Sequence, residues 1–194
     1  MINKFLFFVV TFAVFSVNIT NPPKKSKENI KPVYIDYNIP YLEKNFVAFK
    51  EAIAFKESQG NYRIVNSYGY LGKYQFGKST LRYLKIYNAN DFLKNPELQE
   101  KAFIALCKVN KWILRKDIKR SVGKKINGIL ITESGILAAA HLGGAGNVKK
   151  FLRSNGKEIF EDAYGTAISQ YLKKFGNYDV SFITADRKAT VNSL

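Results

Sequence analysis

One cysteine, one histidine, one methionine and one tryptophan are all that 194 residues contain of these types, and acidic side chains are scarce. A single cysteine excludes a disulfide framework or a zinc cluster built within one chain. Cys107 stands in Ala105-Leu106-Cys107, inside an apolar helical pattern, and reads as a buried, unreactive thiol. The lone His141 lacks the nearby ligands a metal site needs and reads as a packing or cleft-wall histidine. Internal repeats and long low-complexity tracts are missing. The 15 Asp+Glu stand against 31 Lys+Arg, a net charge of +16. Such an excess points to an anionic partner, and nucleic acid, anionic lipid and cell-wall polymer all qualify. The basic residues are spread along the chain and no nucleic-acid motif accompanies them, which argues against a nucleic-acid binder.

What is present suits a globular domain. Hydrophobic residues make up 46% and charged residues 24%, enough for a real core. A short basic start, Met1 to Lys4, precedes the apolar run Phe5–Val17. That is the shape of an export signal, with a cut after Ser16, or of an N-terminal anchor. No cysteine follows the run, so lipid attachment there is not expected. Residues 1–20 are therefore read as signal peptide or anchor, 21–40 as a Pro-rich charged linker, 41–180 as the functional domain and 181–194 as a tail.

Within the domain, Leu42, Phe46, Phe49 and Ile53 recur at helical spacing, and the helix should stop near Gly60. Residues 60–77, rich in Gly, Asn, Ser and Tyr, predict loop or short strands. A helix is expected from Ser79 to about Tyr87. Asn95-Pro96-Glu97 is a strong helix start, followed by the stripe Leu98, Ala102, Leu106, Val109 and Ile113. The basic stretch Arg115–Lys125 predicts a loop. Thr132 caps a helix that gives way to a tight turn at Gly143-Gly144-Ala145-Gly146, and short helices from Asn147 and Thr166 close the domain. The fold class is mostly α, with a small Gly/Tyr-rich insertion after the first helix.

Glu57 stands out by position. It lies about 40° around the helix from Ile53, so it continues the apolar stripe while Glu51 faces water. A carboxylate on a buried face at a helix C-terminus is poorly placed for its charge, which suits a group that must deliver a proton. No second carboxylate sits close to it in sequence. Glu133 is the reserve candidate, with a favourable charge near a helix N-terminus as its plainer role.

Three segments then occur in order: Glu57-Ser58-Gln59-Gly60-Asn61, Gly72-Lys73-Tyr74-Gln75-Phe76, and Ala140-His141-Leu142-Gly143-Gly144-Ala145-Gly146. Together they resemble the lysozyme-like superfamily, in particular lytic transglycosylases, and the first two also look like resuscitation-promoting factors. The resemblance covers about Tyr41 to Tyr178. It implies a lysozyme-like fold with Glu57 as the sole catalytic acid/base. It implies that Ser58 supports the glutamate or the sugar, that Gln75 with neighbouring Tyr74 lines the glycan cleft, that Gly144 and Gly146 approach the substrate, and that Tyr171 contacts the glutamate side. His141 and Leu142 stand where that family usually has Tyr and Asn, so the sugar contacts must differ. The expected activity is cleavage of the bond between N-acetylmuramic acid and N-acetylglucosamine in peptidoglycan, with a 1,6-anhydro product. Hydrolysis on the same scaffold and an inactive glycan-binding module are the alternatives. No cofactor or metal is called for. The expected partners are glycan strands and anionic envelope polymers, and the chain is expected to be an exported monomer, tethered or free.

Overall fold

The computed structural model describes residues 43–193. The expected leader, the linker, and Tyr41 and Leu42 lie outside the described residues. Within them the chain is mostly helical, with six α-helices and one two-stranded hairpin. None of these helices is long and apolar enough to cross a membrane.

Helix α1, Phe46–Ser58, begins where the side chain of Asn45 accepts from the Ala48 N–H at 3.1 Å. Its stripe of Phe46, Phe49 and Ile53 is buried as expected. Gln59 ends it in the left-handed region, at φ 55°. Residues 60–77 form the insertion, a loop crossed only by the single bridges Val65–Leu71 and Leu71–Phe76. The helix expected over 79–87 is instead two short ones, α2 (Lys78–Tyr83) and α3 (Ala89–Lys94). Lys85 takes φ 66° between them, a conformation no α-helix contains. Asn88 then opens α3 by accepting from the N–H groups of Asn90 and Asp91.

Helix α4, Pro96–Ser121, starts as the sequence predicts, with Asn95 accepting from the Leu98 N–H at 3.0 Å. Ala102, Phe103, Ala105 and Leu114 are its deepest apolar residues, while Leu98, Leu106 and Ile113 pack at the margin. The stretch expected as a loop, Arg115–Lys125, is helical as far as Ser121. Lys and Arg are good helix formers, and their charges suit a helix C-terminus. Asp117 fixes this end. It is 1% exposed and carries ion pairs to Arg120 and, at 3.0 Å, to Arg153. Strands β1 (Lys125–Ile126) and β2 (Ile129–Leu130) follow, joined by Asn127-Gly128 with φ 49° and 77°. Positive φ at both central residues is the signature of a type I′ hairpin.

Thr132 caps α5, Glu133–Arg153, by accepting from the Gly135 N–H. The break expected at 143–146 is present: Gly144 leaves helical conformation, at φ 78° and ψ 152°, and α5 is two helices joined across this kink. Helix α5 packs on both α4 and α6 (Ile168–Lys174) and forms the centre of the domain. The segment expected as a tail contributes to the core. Ile183, Ala189 and Val191 are buried, and a 3-10 turn, Val191–Ser193, packs on α4.

Candidate active site

The last turn of α1 delivers Glu57 to a cleft whose walls come from three parts of the chain: the insertion, the middle of α5 and the loop before α6. Glu57 lines a small cavity of about 70 Å³ with Asn66, Tyr70, Gln75, His141, Leu142, Asp162, Ala163 and Tyr164. A larger cavity of about 650 Å³ adjoins it, sharing Tyr70, Gln75, His141, Leu142 and Ala163, and reaches Gly144, Leu106 and Asn110.

Tyr171 holds the carboxylate. Its hydroxyl donates to Glu57 Oε1 at 2.6 Å. The ring is 2% exposed. Burial and then the negative charge of Glu57 push its phenol well above the usual range, so it stays a proton donor. Glu57 Oε2 has no hydrogen-bond partner among the described residues.

Gln75 lies in the shared wall. Its backbone is left-handed, φ 51°, and its side-chain amide donates to the Gly72 carbonyl at 2.8 Å. A positive φ at a non-glycine residue is a conformation the surrounding loop must impose.

The neighbouring Tyr74, expected in the cleft, is not there. Its side chain is 0% exposed, stacks on Phe103 at 4.2 Å between centroids, and donates its hydroxyl to Glu100 Oε2 at 2.9 Å. Only its backbone serves the site. The Tyr74 carbonyl accepts from His141 Nε2 at 2.8 Å. A carbonyl oxygen only accepts, so the His141 proton is on Nε2 and Nδ1 is left as an acceptor. Burial holds His141 below the ordinary imidazole range, against the opposing pull of Glu57, which keeps that lone pair free. The ring packs against Phe76 and Phe103 and forms a cleft wall, as the sequence suggests.

Ser58 supports the loop and not the glutamate. Its hydroxyl donates to the Lys73 carbonyl at 2.7 Å and accepts from the Asn61 N–H at 3.0 Å. Gly144 lines the larger cavity, and Gly146 lines a neighbouring one of about 400 Å³ that shares Ser79, Thr80, Leu106 and Asn110 with it. Glu133 is also remote from Glu57. It pairs with Lys111 at the start of α5.

The carboxylate that shares the small cavity is Asp162, which periodicity did not single out. Its Oδ1 accepts from the N–H groups of Tyr164 at 2.9 Å and Thr166 at 2.7 Å. The local signal was an Asp three residues before Gly165, a turn motif, but nothing local shows that the turn faces Glu57. The same turn brings Tyr164 to the insertion. Tyr68 meets the Tyr164 ring edge-on at 4.7 Å, Ser67 Oγ lies 3.2 Å from the Tyr164 hydroxyl, and the Tyr68 hydroxyl donates to the Ala163 carbonyl at 3.4 Å. The two rims touch beside the glutamate.

A charged cluster behind the insertion holds it against α1 and α4. Glu100 accepts from Lys50, from Lys73 at 2.8 Å, and from the hydroxyls of Tyr62 at 2.7 Å and Tyr74 at 2.9 Å. Burial would raise its pKa, but these four donors outweigh it and hold the carboxyl at about 2. Gln99 adds an uncharged brace, accepting from the Lys73 N–H and donating to the Tyr62 carbonyl.

Among the described residues no group of three or more His, Cys, Asp or Glu is placed to hold a metal ion. Compared with known proteins, the chain matches no family model, no curated protein and no solved structure.

Proposed function

We propose that this chain is a peptidoglycan lytic transglycosylase with a lysozyme-like fold, acting through Glu57. The observation that carries the reading is the meeting of Glu57, Gln75 and His141, from three sequence segments, on one cavity, with Tyr171 donating to the glutamate from behind. The mostly helical chain with its insertion after α1 is in keeping with that fold.

In the reaction, Glu57 donates its proton to the oxygen linking N-acetylmuramic acid to the next sugar, and the bond from the anomeric carbon to that oxygen breaks. The 6-hydroxyl of the muramic acid attacks the anomeric carbon and returns its proton to Glu57. The products are a 1,6-anhydro end and a free 4-hydroxyl, and the glutamate is again protonated. Tyr171 keeps Oε1 fixed throughout. The substrate lies outside the cytoplasm, where the N-terminal apolar segment would carry the chain. A net charge of +16 favours retention on an anionic wall, and salt would weaken it.

Asp162 favours a second reading, hydrolysis. A carboxylate in the same cavity is what a glycosidase needs to activate water. Mass spectrometry of digested sacculi separates the two. Anhydro ends support the transglycosylase, and reducing ends that carry oxygen from labelled water support the hydrolase. Glu57→Gln should abolish either product, and full cleavage by that variant would refute both.

A further inference from the structure

Residues 116–130 and 149–157 hold nine Lys and Arg against one acid, Asp117. Two contacts bring these segments together at one end of the domain. Asp117, on α4, pairs with Arg120 and, at 3.0 Å, with Arg153 at the end of α5. Asn127, in the hairpin turn, donates from Nδ2 to the Gly156 carbonyl at 3.0 Å. The acid is buried and taken up by the two arginines, so it offsets little of the surrounding charge. Both guanidiniums stay half-exposed, and Lys116, Lys119, Lys124 and Lys125 are exposed. Like charges crowded in this way repel one another, at a cost to folding that a bound anion removes. No residue of either segment lines the cavities beside Glu57.

The same surface carries apolar side chains. Val122 is 45% and Leu130 is 52% exposed. Leu130 stands directly across the hairpin from Lys125, so the two share its outer face, while Ile126 on the other face is buried. The Gly123 N–H donates to the Ile131 carbonyl at 2.9 Å, which seats Val122 beside the end of β2. A surface that met only water or a phosphate polymer would gain nothing from Val122 and Leu130. A bilayer interface takes both kinds of side chain: cations lie among the lipid phosphates, and apolar groups enter the acyl boundary beneath them. We propose that this end of the domain docks on a bilayer rich in anionic phospholipid. Arg120, Arg153, Lys124 and Lys125 meet the lipid phosphates, and Val122 and Leu130 enter the interface. The inference is independent of the glycan-cleaving reading above.

The test is sedimentation of the full chain with two kinds of vesicle, phosphatidylcholine alone and phosphatidylcholine with phosphatidylglycerol in equal parts. The apolar run Phe5–Val17 is common to parent and variants, so the readout is the preference for the anionic vesicles. Each lysine at an anionic surface strengthens binding about fivefold, so Lys124→Gln with Lys125→Gln should lower that preference about 25-fold. Leu130→Asn should weaken binding to the anionic vesicles about fivefold, and leave binding to soluble polyphosphate unchanged. Melting curves show which variants are folded. If the paired hairpin variant does not fold, Lys116→Gln with Lys119→Gln tests the same surface from α4, with the same expected loss. A parent that binds both vesicles equally would overturn the proposal, as would an undiminished anionic preference in a folded lysine variant. If Leu130→Asn binds vesicles as the parent does, while the lysine variant loses vesicles and polyphosphate alike, the surface takes a phosphate polymer and the membrane proposal falls.

Discussion

The Tyr171 hydroxyl lies 2.6 Å from Glu57 Oε1, although 114 residues separate the two in sequence. One oxygen of the glutamate is thereby fixed by a buried donor that cannot be drawn into the titration near neutral pH. Tyr171→Phe removes the hydroxyl and keeps the ring in the core. A hydrogen bond to a charged group contributes about 1.5–3 kcal/mol. Turnover of sacculi or soluble glycan should therefore fall about 10- to 100-fold, with KM nearly unchanged because the phenol sits behind the glutamate. Steady-state kinetics with a melting curve of the same sample checks this. Unchanged turnover would show that the bond has no part in orienting Glu57.

Tyr68 and Tyr164 bear on access. Their contact, with that between Ser67 and Tyr164, joins the rims beside Glu57 and leaves a cavity of about 70 Å³. We expect the rims to part when a glycan reaches the glutamate. Contacts between exposed side chains of this kind contribute only about 0.5–1.5 kcal/mol, so opening is easy unless prevented. Ser67→Cys with Tyr164→Cys, bridged by a reducible bis-thiol linker, should lose cleavage about tenfold or more and recover it with reductant. Cys107 will not compete, since it is buried and burial raises its thiol pKa. Full activity of the bridged protein, with bridging verified by mass, would show that the rims need not separate.

The limits of sequence reading follow from where each signal resides. Asn95-Pro96-Glu97 and Thr132 announce their helices because a cap is a local event. Glu57 is legible as a carboxylate on a buried face because helical periodicity is local too. Tyr74 and Gln75 are adjacent, and sequence gives no reason to send one to the core and the other to the cleft. That choice is made by Glu100 and Phe103, brought across by α4. Asp162 enters the site for a similarly distant reason, through the packing of the loop before α6 against the insertion. Arg115–Lys125 is a case of another kind: its charge density suggests a loop, whereas helix propensity and the buried Asp117 favour a helix. Asn127-Gly128 was a hairpin signal available locally.

The Glu100 cluster should set the acid stability of the insertion. Its carboxyl titrates at about 2 in the fold against an ordinary 4.5, so folding favours the charged form. The contribution is complete above pH 4.5 and disappears as pH falls towards 2. Glu100→Gln leaves Lys73 and Lys50 with one carboxylate fewer in a half-buried setting, and should cost about 3 kcal/mol near neutral pH. The difference between parent and variant should shrink on acidification over that interval. Urea unfolding at a series of pH values measures it. A constant difference from pH 6 to 2.5 would mean that Glu100 contributes by shape and not by charge.

Three glycines within four residues of α5 should respond differently to alanine, for reasons read directly from the kink. At Gly143 an added Cβ would lie 2.8 Å from both the Phe160 ring and Ile168 Cγ2. Overpacking of this kind costs about 1–3 kcal/mol. It would also push the loop carrying Asp162 and Tyr164 away from α5, so cleavage should fall with stability. Gly144 has open space around it, but its φ of 78° with ψ of 152° lies in a region essentially confined to glycine, which a side chain enters at a cost of about 1–3 kcal/mol. Gly144→Ala should destabilise by that amount through the backbone alone. Gly146 has neither constraint, since nothing lies within 4 Å of its Cβ position and its φ is ordinary. There alanine should be neutral or stabilising by up to about 1 kcal/mol. Thermal melts of the three variants should therefore rank Gly146→Ala highest. If Gly146→Ala proves as damaging as Gly143→Ala, the open side of the kink must be occupied by something the described residues do not include.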